Sequence, residues 1–184
     1  MAKSKLAPVR GDPDLDKAQR QFDVILYLIG QVVVAWGEMD DTLIHVLARL
    51  SGNRPKAAGI TYYALDALST RLAVIKGLAQ HKLKAGKKKR TDLLKLLDRL
   101  GKLGRTRNDI IHAVYRLIYD PKPDKWMIKK MVFRSLRETL YRETLAQTAE
   151  LEDHLEQLSD VRFRLRIFSG LVPTPRKGRR HWMR

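Results

Sequence analysis

The sequence contains no cysteine, which excludes disulfide bonds, thiolate zinc sites and cysteine nucleophiles. It also contains no glycine-rich phosphate loop of either common pattern, so chemistry driven by ATP has no support. His45, His81, His154 and His181 are scattered along the chain, and no two of them have the spacing of metal ligands. We therefore expect no metal and no cofactor.

Long hydrophobic runs are also missing. The longest apolar stretch, residues 24–36, is interrupted by Gln31 and is shorter than the roughly 20 residues that cross a bilayer. Residues 1–16 contain Lys and Arg but no apolar segment after them, which is not the pattern of a secretory signal. These features predict a soluble, cytoplasmic protein with no membrane partner.

Negative charge is scarce: 20 acidic residues stand against 37 Lys and Arg, which gives a formal net charge of +17. Such an excess favours binding to an acidic polymer, because cations release counterions from a phosphate backbone. Nucleic acid is the first candidate, an anionic membrane surface the second, and charge that serves only solubility the third. The candidate phosphate contacts lie in two basic clusters, and they are Lys87, Lys88, Lys89 and Arg90 in the first and Arg179 and Arg180 in the second. Neither cluster has the apolar face of a membrane-lying helix.

With 184 residues, 44% of them hydrophobic, the chain fits one domain with tails. We expect a flexible N-terminal segment at 1–14, a helical domain at 15–168 and a flexible basic tail at 169–184. Apolar periodicity and capping residues predict helices at 15–50 and 56–83, a third from Thr91, and a last one from the capping box Ser135–Glu138 to about 168. Prolines between 114 and 134 predict a short hairpin or an irregular crossover there. The expected fold is all-α, an up-down four-helix bundle with that insertion before the last helix.

One polar residue interrupts the apolar stripe of the first helix. The stripe steps by three and four, as in a packed helix, through Phe22, Leu26, Ile29, Val33, Trp36, Asp40, Leu43, Leu47 and Leu50. In the third helix, Arg107 interrupts a similar stripe. Because a carboxylate that faces a core is costly unless paired, Asp40 is expected to have a cationic or hydrogen-bonding partner, and Arg107 is the first candidate.

The third helix ends on Arg107-Asn108-Asp109-Ile110-Ile111-His112. Asn108 and His112 are four apart and share one helical face, and Arg107 can reach the same point. Arg105 and Tyr115 extend that face. A guanidinium that grips phosphate and an imidazole that exchanges a proton near neutral pH suit RNA phosphate chemistry without a metal. A solvated Arg beside a structural His gives the same pattern.

On these residues the chain resembles a HEPN domain, an all-helical family named after higher eukaryotes and prokaryotes nucleotide-binding proteins. Family members place an Arg, often a polar residue, and a His a few positions later. Here four residues separate Arg107 from His112. The likeness covers the order of helices over about residues 15–165. Residues Trp36–Asp40 show a weaker similarity to first-helix segments of bacterial family members. The likeness implies a metal-independent endoribonuclease, often a toxin of a toxin–antitoxin or phage-defence system. It also implies a homodimer, with a separate antitoxin or nucleotidyltransferase protein as a further partner.

The resemblance also implies a role for each motif residue. His112 would act as general base or general acid, and Arg107 would hold the scissile phosphate. Asn108 would orient His112 or donate to phosphate, and Asp40 would fix Arg107. The products would be a 2′,3′-cyclic phosphate and a 5′-hydroxyl. The alternative is a non-catalytic helical module that binds RNA or a protein and uses the Arg107–Asp40 pair only to fix helix register.

Overall fold

The computed structural model describes residues 13–122, 124–133 and 141–173, with the backbone alone at residues 133 and 141–143. The described part contains five helices and three strands. In chain order they are α1 (Pro13–Ser51), α2 (Pro55–Tyr63), α3 (Leu68–Lys82), α4 (Lys88–Ile111), β1 (Val114–Asp120), β2 (Lys125–Phe133), β3 (Tyr141–Leu145) and α5 (Thr148–Ser169).

The end of α1 shows how local sequence sets a boundary. Gly52 has a φ of +78°, which glycine adopts without steric cost, and its N–H donates to the Ala48 carbonyl over 2.9 Å. Pro55 then occupies the first turn of α2, where its missing N–H costs nothing. The segment between them therefore ends one helix and starts the next.

The chain divides into two compact units. We call Met1–Val34 with Arg105–Glu156 the sheet unit, and Ala35–Gly104 with Gln157–Arg184 the helical unit. The helices α1, α4 and α5 each contribute a part to both units. The boundaries between the two units fall inside these helices, and the single domain expected over 15–168 stays a prediction.

The sheet unit contains an antiparallel sheet of order β1-β2-β3. β1 pairs with β2 from Val114↔Met131 to Asp120↔Lys125, and β2 pairs with β3 from Lys129↔Leu145 to Phe133↔Tyr141. Its buried core comprises Ile25, Leu28, Ile110, Ile128, Ala146 and Leu151. The ammonium group of the buried Lys130 forms an ion pair with Glu150 over 2.7 Å, which satisfies the charge.

The helical unit has the larger core. Residues of α1, α2, α3, α4 and α5 pack together in it, and the fully buried members include Met39, Leu43, Val46, Tyr62, Ile75, Ala79, Leu97, Leu100, Leu158, Val161 and Leu165. The i, i+3 and i, i+4 spacing within each helix is the period that lines one face with apolar side chains. This core holds the helix segments that carry Asp40 and the first turns of α4.

The predicted helix at 56–83 is two helices, α2 and α3. Residues 64–67 turn between them, and the carbonyl of Leu65 accepts a hydrogen bond from Arg71 Nε over 2.8 Å. A side chain from the following helix thus satisfies a backbone group in the turn, an interaction that apolar periodicity cannot reveal. The third predicted helix is α4, but it begins at Lys88 instead of Thr91.

The last predicted helix begins later than expected. The prediction placed its start at Ser135, but residues 141–145 form β3 and α5 begins at Thr148; the capping box Ser135–Glu138 lies outside the described residues. The insertion at 114–134 is a hairpin, β1 and β2. The chain is mostly helical as expected, whereas the four-helix bundle is not confirmed, because the described part has five helices and a sheet.

The inward face of α1 also differs from the predicted stripe. Leu26 and Val33 are each 47% exposed, while Ile25 and Val32 are fully buried. Residues 24–34 are apolar on several faces, so periodicity alone does not select one. α1 is also long and apolar enough to cross a membrane by composition, with a mean hydropathy of 1.5 over 18 residues of which 28% are buried. A core helix of a globular protein passes the same test, and α1 contributes to both cores.

Candidate functional site

The predicted motif lies at the C-terminal end of α4. Arg107 and Asn108 are in its last turns, and His112 follows Ile111, the last helical residue. The N–H of His112 donates to the Asn108 carbonyl over 3.0 Å, which extends the helical bonding pattern by one residue. His112 is exposed, so its imidazole lies at an open helix end.

Arg107 and Asn108 are joined by their side chains. Arg107 Nη1 donates to Asn108 Oδ1 over 3.0 Å. Because the amide oxygen of Asn108 accepts this bond, its amide nitrogen points away from Arg107 and can donate to another group. Asn108 is exposed and Arg107 is half-buried. The helix end thus presents guanidinium and amide N–H groups, with the His112 imidazole in the next turn of the chain. They lie at the negative end of the helix dipole, which favours cations.

Tyr115 anchors this helix end to the sheet. Its hydroxyl donates to the carbonyl of Ile110 over 3.1 Å, and Ile110 is fully buried in the core of the sheet unit. Burial raises the pKa of Tyr115, and the negative charge of Glu150 raises it further, so the hydroxyl stays a donor. The sequence predicted Tyr115 as an RNA contact; the structure shows it half-buried with its hydroxyl engaged in fixing the end of α4.

Asp40 lies in a polar cluster of the helical unit. Its Oδ1 accepts a hydrogen bond from the Tyr62 hydroxyl over 2.5 Å, and Arg71 Nη1 lies 3.9 Å from the same oxygen. The sequence predicted a cationic or hydrogen-bonding partner with Arg107 as candidate, and the guanidinium beside Asp40 is that of Arg71. Burial raises the pKa of Tyr62, and its hydrogen bond to Asp40 raises it further.

Sequence reasoning missed this cluster of Arg71, Tyr62 and Tyr63. The guanidinium carbon of Arg71 lies 4.6 Å from the Tyr62 ring centroid and 5.6 Å from that of Tyr63, and the two rings meet edge to face at 5.4 Å. Two signals could have found it: the adjacent tyrosine pair before a turn, and the single Arg early in α3. The cluster stabilises the α2–α3 turn.

The predicted basic contacts are distributed over the chain. Arg105 is exposed in α4. Lys88 and Lys89 begin α4 and line a cavity in the helical unit, whereas Lys87 and Arg90 are not part of its lining. The lysines and the motif are thus at opposite ends of one helix. Arg179 and Arg180 lie outside the described residues.

Within residues 13–122, 124–133 and 141–173, no group of three or more His, Asp or Glu side chains is arranged to hold a metal ion. Comparison with known proteins found no match among family models, curated proteins or solved structures.

Proposed function

We propose that this chain is a metal-independent endoribonuclease of the HEPN type, acting in the cytoplasm as a homodimer in a toxin–antitoxin or phage-defence setting. The observation that carries the proposal is the end of α4. There, the Arg107 guanidinium is bonded to Asn108, and the exposed His112 follows in the next turn. These are the groups that an RNA transesterification uses, and they occur in a chain of net charge +17.

The proposed reaction begins at a ribose 2′-hydroxyl. His112 takes the proton of this hydroxyl as its oxygen forms a bond to phosphorus. The bond from phosphorus to the 5′-oxygen breaks, and that oxygen receives a proton. Arg107 and the Asn108 amide nitrogen donate to the non-bridging oxygens, where negative charge develops. The products are a 2′,3′-cyclic phosphate and a 5′-hydroxyl.

The reaction requires a base and an acid on opposite sides of the phosphorus. A second copy of the chain provides the acid when its own His112 faces the 5′-oxygen, which is why the proposal includes a homodimer. In such a setting a separate antitoxin or nucleotidyltransferase protein is the partner that controls activity. Asp40 takes no part in the proposed reaction, because its carboxylate accepts a hydrogen bond from Tyr62 and lies beside Arg71.

A second candidate function is RNA binding without cleavage. One observation favours it: six Lys and Arg side chains line a cavity of the helical unit, and phosphate binding there needs none of the motif residues. A helical module that binds RNA, or a protein, through this unit would leave the end of α4 with a structural role only.

The test is incubation of the purified chain with total RNA and with matched DNA, in the presence and absence of EDTA. We expect cleavage of RNA alone, unaffected by EDTA, with products that carry 5′-hydroxyl ends. His112→Ala should lower the rate by roughly 10²–10⁴-fold, the usual contribution of a general acid or base. His81→Ala is the matched control, since His81 is an exposed histidine of α3.

The two candidate functions give different results. Binding of RNA with no cleavage by the wild-type chain supports the non-catalytic module, provided that mass spectrometry of the sample shows no co-purified inhibitor. Equal cleavage by the wild-type and His112→Ala proteins means that the activity belongs to other residues or to a contaminant, and overturns the proposed site.

A further inference from the structure

A second site is suggested by a cavity of about 1010 Å³ in the helical unit. The end of α1, the first turns of α4 and the end of α5 form its wall, together with the residues that follow α5. Six basic residues line it, against one acid, Asp92, and six apolar or aromatic residues: Arg49, Lys88, Lys89, Lys95, Arg99 and Arg164 are the basic set, and Leu93, Leu96, Ile167, Phe168, Val172 and Pro173 the apolar set.

Most of this positive charge is not neutralised. Asp160 bridges two of the cations, with Oδ2 at 2.6 Å from Arg99 Nη1 and Oδ1 at 2.9 Å from Arg164 Nε. The other four, Arg49, Lys88, Lys89 and Lys95, form no ion pair with a described carboxylate. The sequence after Pro173 contains five more Lys and Arg residues and no Asp or Glu side chain. Among the described residues, these four cations therefore remain open to an external anion.

Two of these cations meet at one aromatic ring. The guanidinium carbon of Arg49 lies 5.7 Å from the centroid of Phe168, and Lys89 Nζ lies 5.2 Å from it. Gly170 permits the approach of Arg49: it has a φ of +83°, and a Cβ there would lie 2.9 Å from Arg49 Nη1. Two like charges held over one ring repel each other, and an anion that binds both removes the repulsion.

The start of α4 adds to the positive charge around the cavity. Lys88 and Lys89 are in its first turn, which contains no acidic residue. Cations at the positive end of a helix dipole are unfavourable by themselves. The same arrangement is favourable once an anion occupies the cavity, as oxyanions do at helix N-termini in phosphate sites.

The shape and lining indicate what kind of anion fits. Inorganic phosphate would leave the apolar residues uncovered and most of the volume empty, and the volume is at the upper end of small-molecule sites. A fatty acid would supply one charge for four cations. We propose that the cavity binds a nucleotide, with phosphate oxygens at Arg49, Lys88 and Lys89 and the base against Leu96 and Ile167. The nucleotide is either free or part of single-stranded RNA. The site is independent of the cleavage proposed for His112.

The experiment is equilibrium binding to the full-length chain, with ADP and a fluorescent single-stranded RNA as probes and pyrophosphate as a competitor. The variant Lys88→Glu/Lys89→Glu should weaken ADP binding by roughly tenfold or more, since both lost contacts are charge-assisted. Lys17→Glu/Arg20→Glu is the matched control. Lys17 and Arg20 are exposed in the sheet unit, and their substitution changes the net charge by the same amount as the test variant does. The control variant should change ADP binding by less than about twofold.

The outcomes of this experiment distinguish a free nucleotide from a nucleotide within an RNA strand. ADP that binds and displaces RNA shows that free and strand nucleotides share the cavity. RNA that binds in a manner sensitive to the Lys88/Lys89 variant, with no ADP binding, assigns the cavity to the strand. Equal weakening by both double variants, or pyrophosphate competing as well as ADP, overturns the proposal, because charge alone then explains binding. His112→Ala should bind both probes as the wild type does, which separates this result from the ribonuclease test.

Discussion

His154 is a buried ionisable side chain of the sheet unit. It is 2% exposed, and neither ring nitrogen has a hydrogen-bond partner among the described residues. Burial lowers its pKa; Asp153 and Glu150 act in the opposite direction, and Lys130 acts with burial. The folded protein therefore holds His154 in its neutral form, in which an imidazole is least costly to bury.

This burial makes stability depend on pH. The pKa of His154 in the folded state lies below its unfolded-state value of about 6.5, so the unfolded chain binds the proton first as pH falls. The free energy of unfolding is therefore unaffected by this group well above that pH, and it decreases below it by at most about 1.4 kcal/mol per pH unit. His154→Leu should remove this loss between about pH 7.5 and about pH 5.5, measured by urea unfolding. His81→Leu, at an exposed position, should keep it. An unchanged acid loss in His154→Leu would assign the pH dependence to other groups.

The two adjacent tyrosines at the end of α2 should differ in their contribution to stability. Tyr62 is fully buried and its hydroxyl donates to Asp40, whereas Tyr63 is 61% exposed. Tyr62→Phe should destabilise the protein by about 1–3 kcal/mol, because it removes a donor from a partly buried carboxylate. Tyr63→Phe should stay within about 0.5 kcal/mol of wild type. Denaturant unfolding of the two variants checks this, and equal losses would mean that the bond to Asp40 contributes little.

Asp40 also shows what sequence can predict at this scale. Its place in an apolar stripe correctly indicated a need for a polar partner, since an unpaired carboxylate near a core is costly. The identity of the partner depends on the turn between α2 and α3, which brings Arg71 to the carboxylate. The side chain of Arg71 also donates to that turn, so the ion pair and the turn depend on the same residue, and neither appears in the pattern of apolar residues.

At the scale of elements, two glycines of α4 differ only in what surrounds them. A Cβ at Gly101 would lie 3.6 Å from Leu72 Cδ1, an ordinary contact. A Cβ at Gly104 would lie 2.4 Å from Leu68 Cδ2 and 3.4 Å from the Trp36 ring. Gly101 therefore only lowers the helix propensity of α4. Gly104, in contrast, allows Leu68 and Trp36 to pack closely against α4.

The two alanine substitutions should therefore have different effects. Gly101→Ala should stabilise the protein by about 0.5–1 kcal/mol through helix propensity. Gly104→Ala gains the same propensity but has to displace Leu68 beside a large ring, so it should be neutral or destabilising by about 1–3 kcal/mol. Thermal unfolding of both variants measures the difference. Equal stabilisation would show that Leu68 moves without cost.

The elements themselves were predictable to different degrees. The first helix followed from apolar spacing, and the prolines between 114 and 134 left a hairpin or an irregular crossover open, because these signals act within a few residues. The strand β3 was not predicted, because residues 141–145 pair with residues 129–133, between 8 and 16 positions earlier in the chain, and such pairing depends on tertiary context. The predicted motif depends only on local spacing: its members lie within six residues, with Arg107 and Asn108 in the last turns of α4 and His112 directly after the helix.

At the scale of the whole molecule, binding and chemistry have different requirements. A net charge of +17 attracts any phosphate backbone, and contacts to phosphate do not distinguish RNA from DNA. The proposed cleavage requires a 2′-hydroxyl, which only RNA has. Affinity and cleavage should therefore separate when the sugar is changed and the phosphates are kept.

Single-stranded DNA should accordingly inhibit the proposed ribonuclease without being cleaved. DNA of the same sequence should bind within about threefold of RNA, with a similar salt dependence of about −0.7 in log K per log salt for each phosphate contact. It should raise the apparent KM for RNA and leave kcat unchanged, in steady-state assays with labelled RNA. Lys88→Glu/Lys89→Glu should weaken both polymers alike if the strand occupies the cavity. DNA that neither binds nor inhibits would show that the protein recognises the ribose before any bond breaks, and that positive charge is not the main source of affinity.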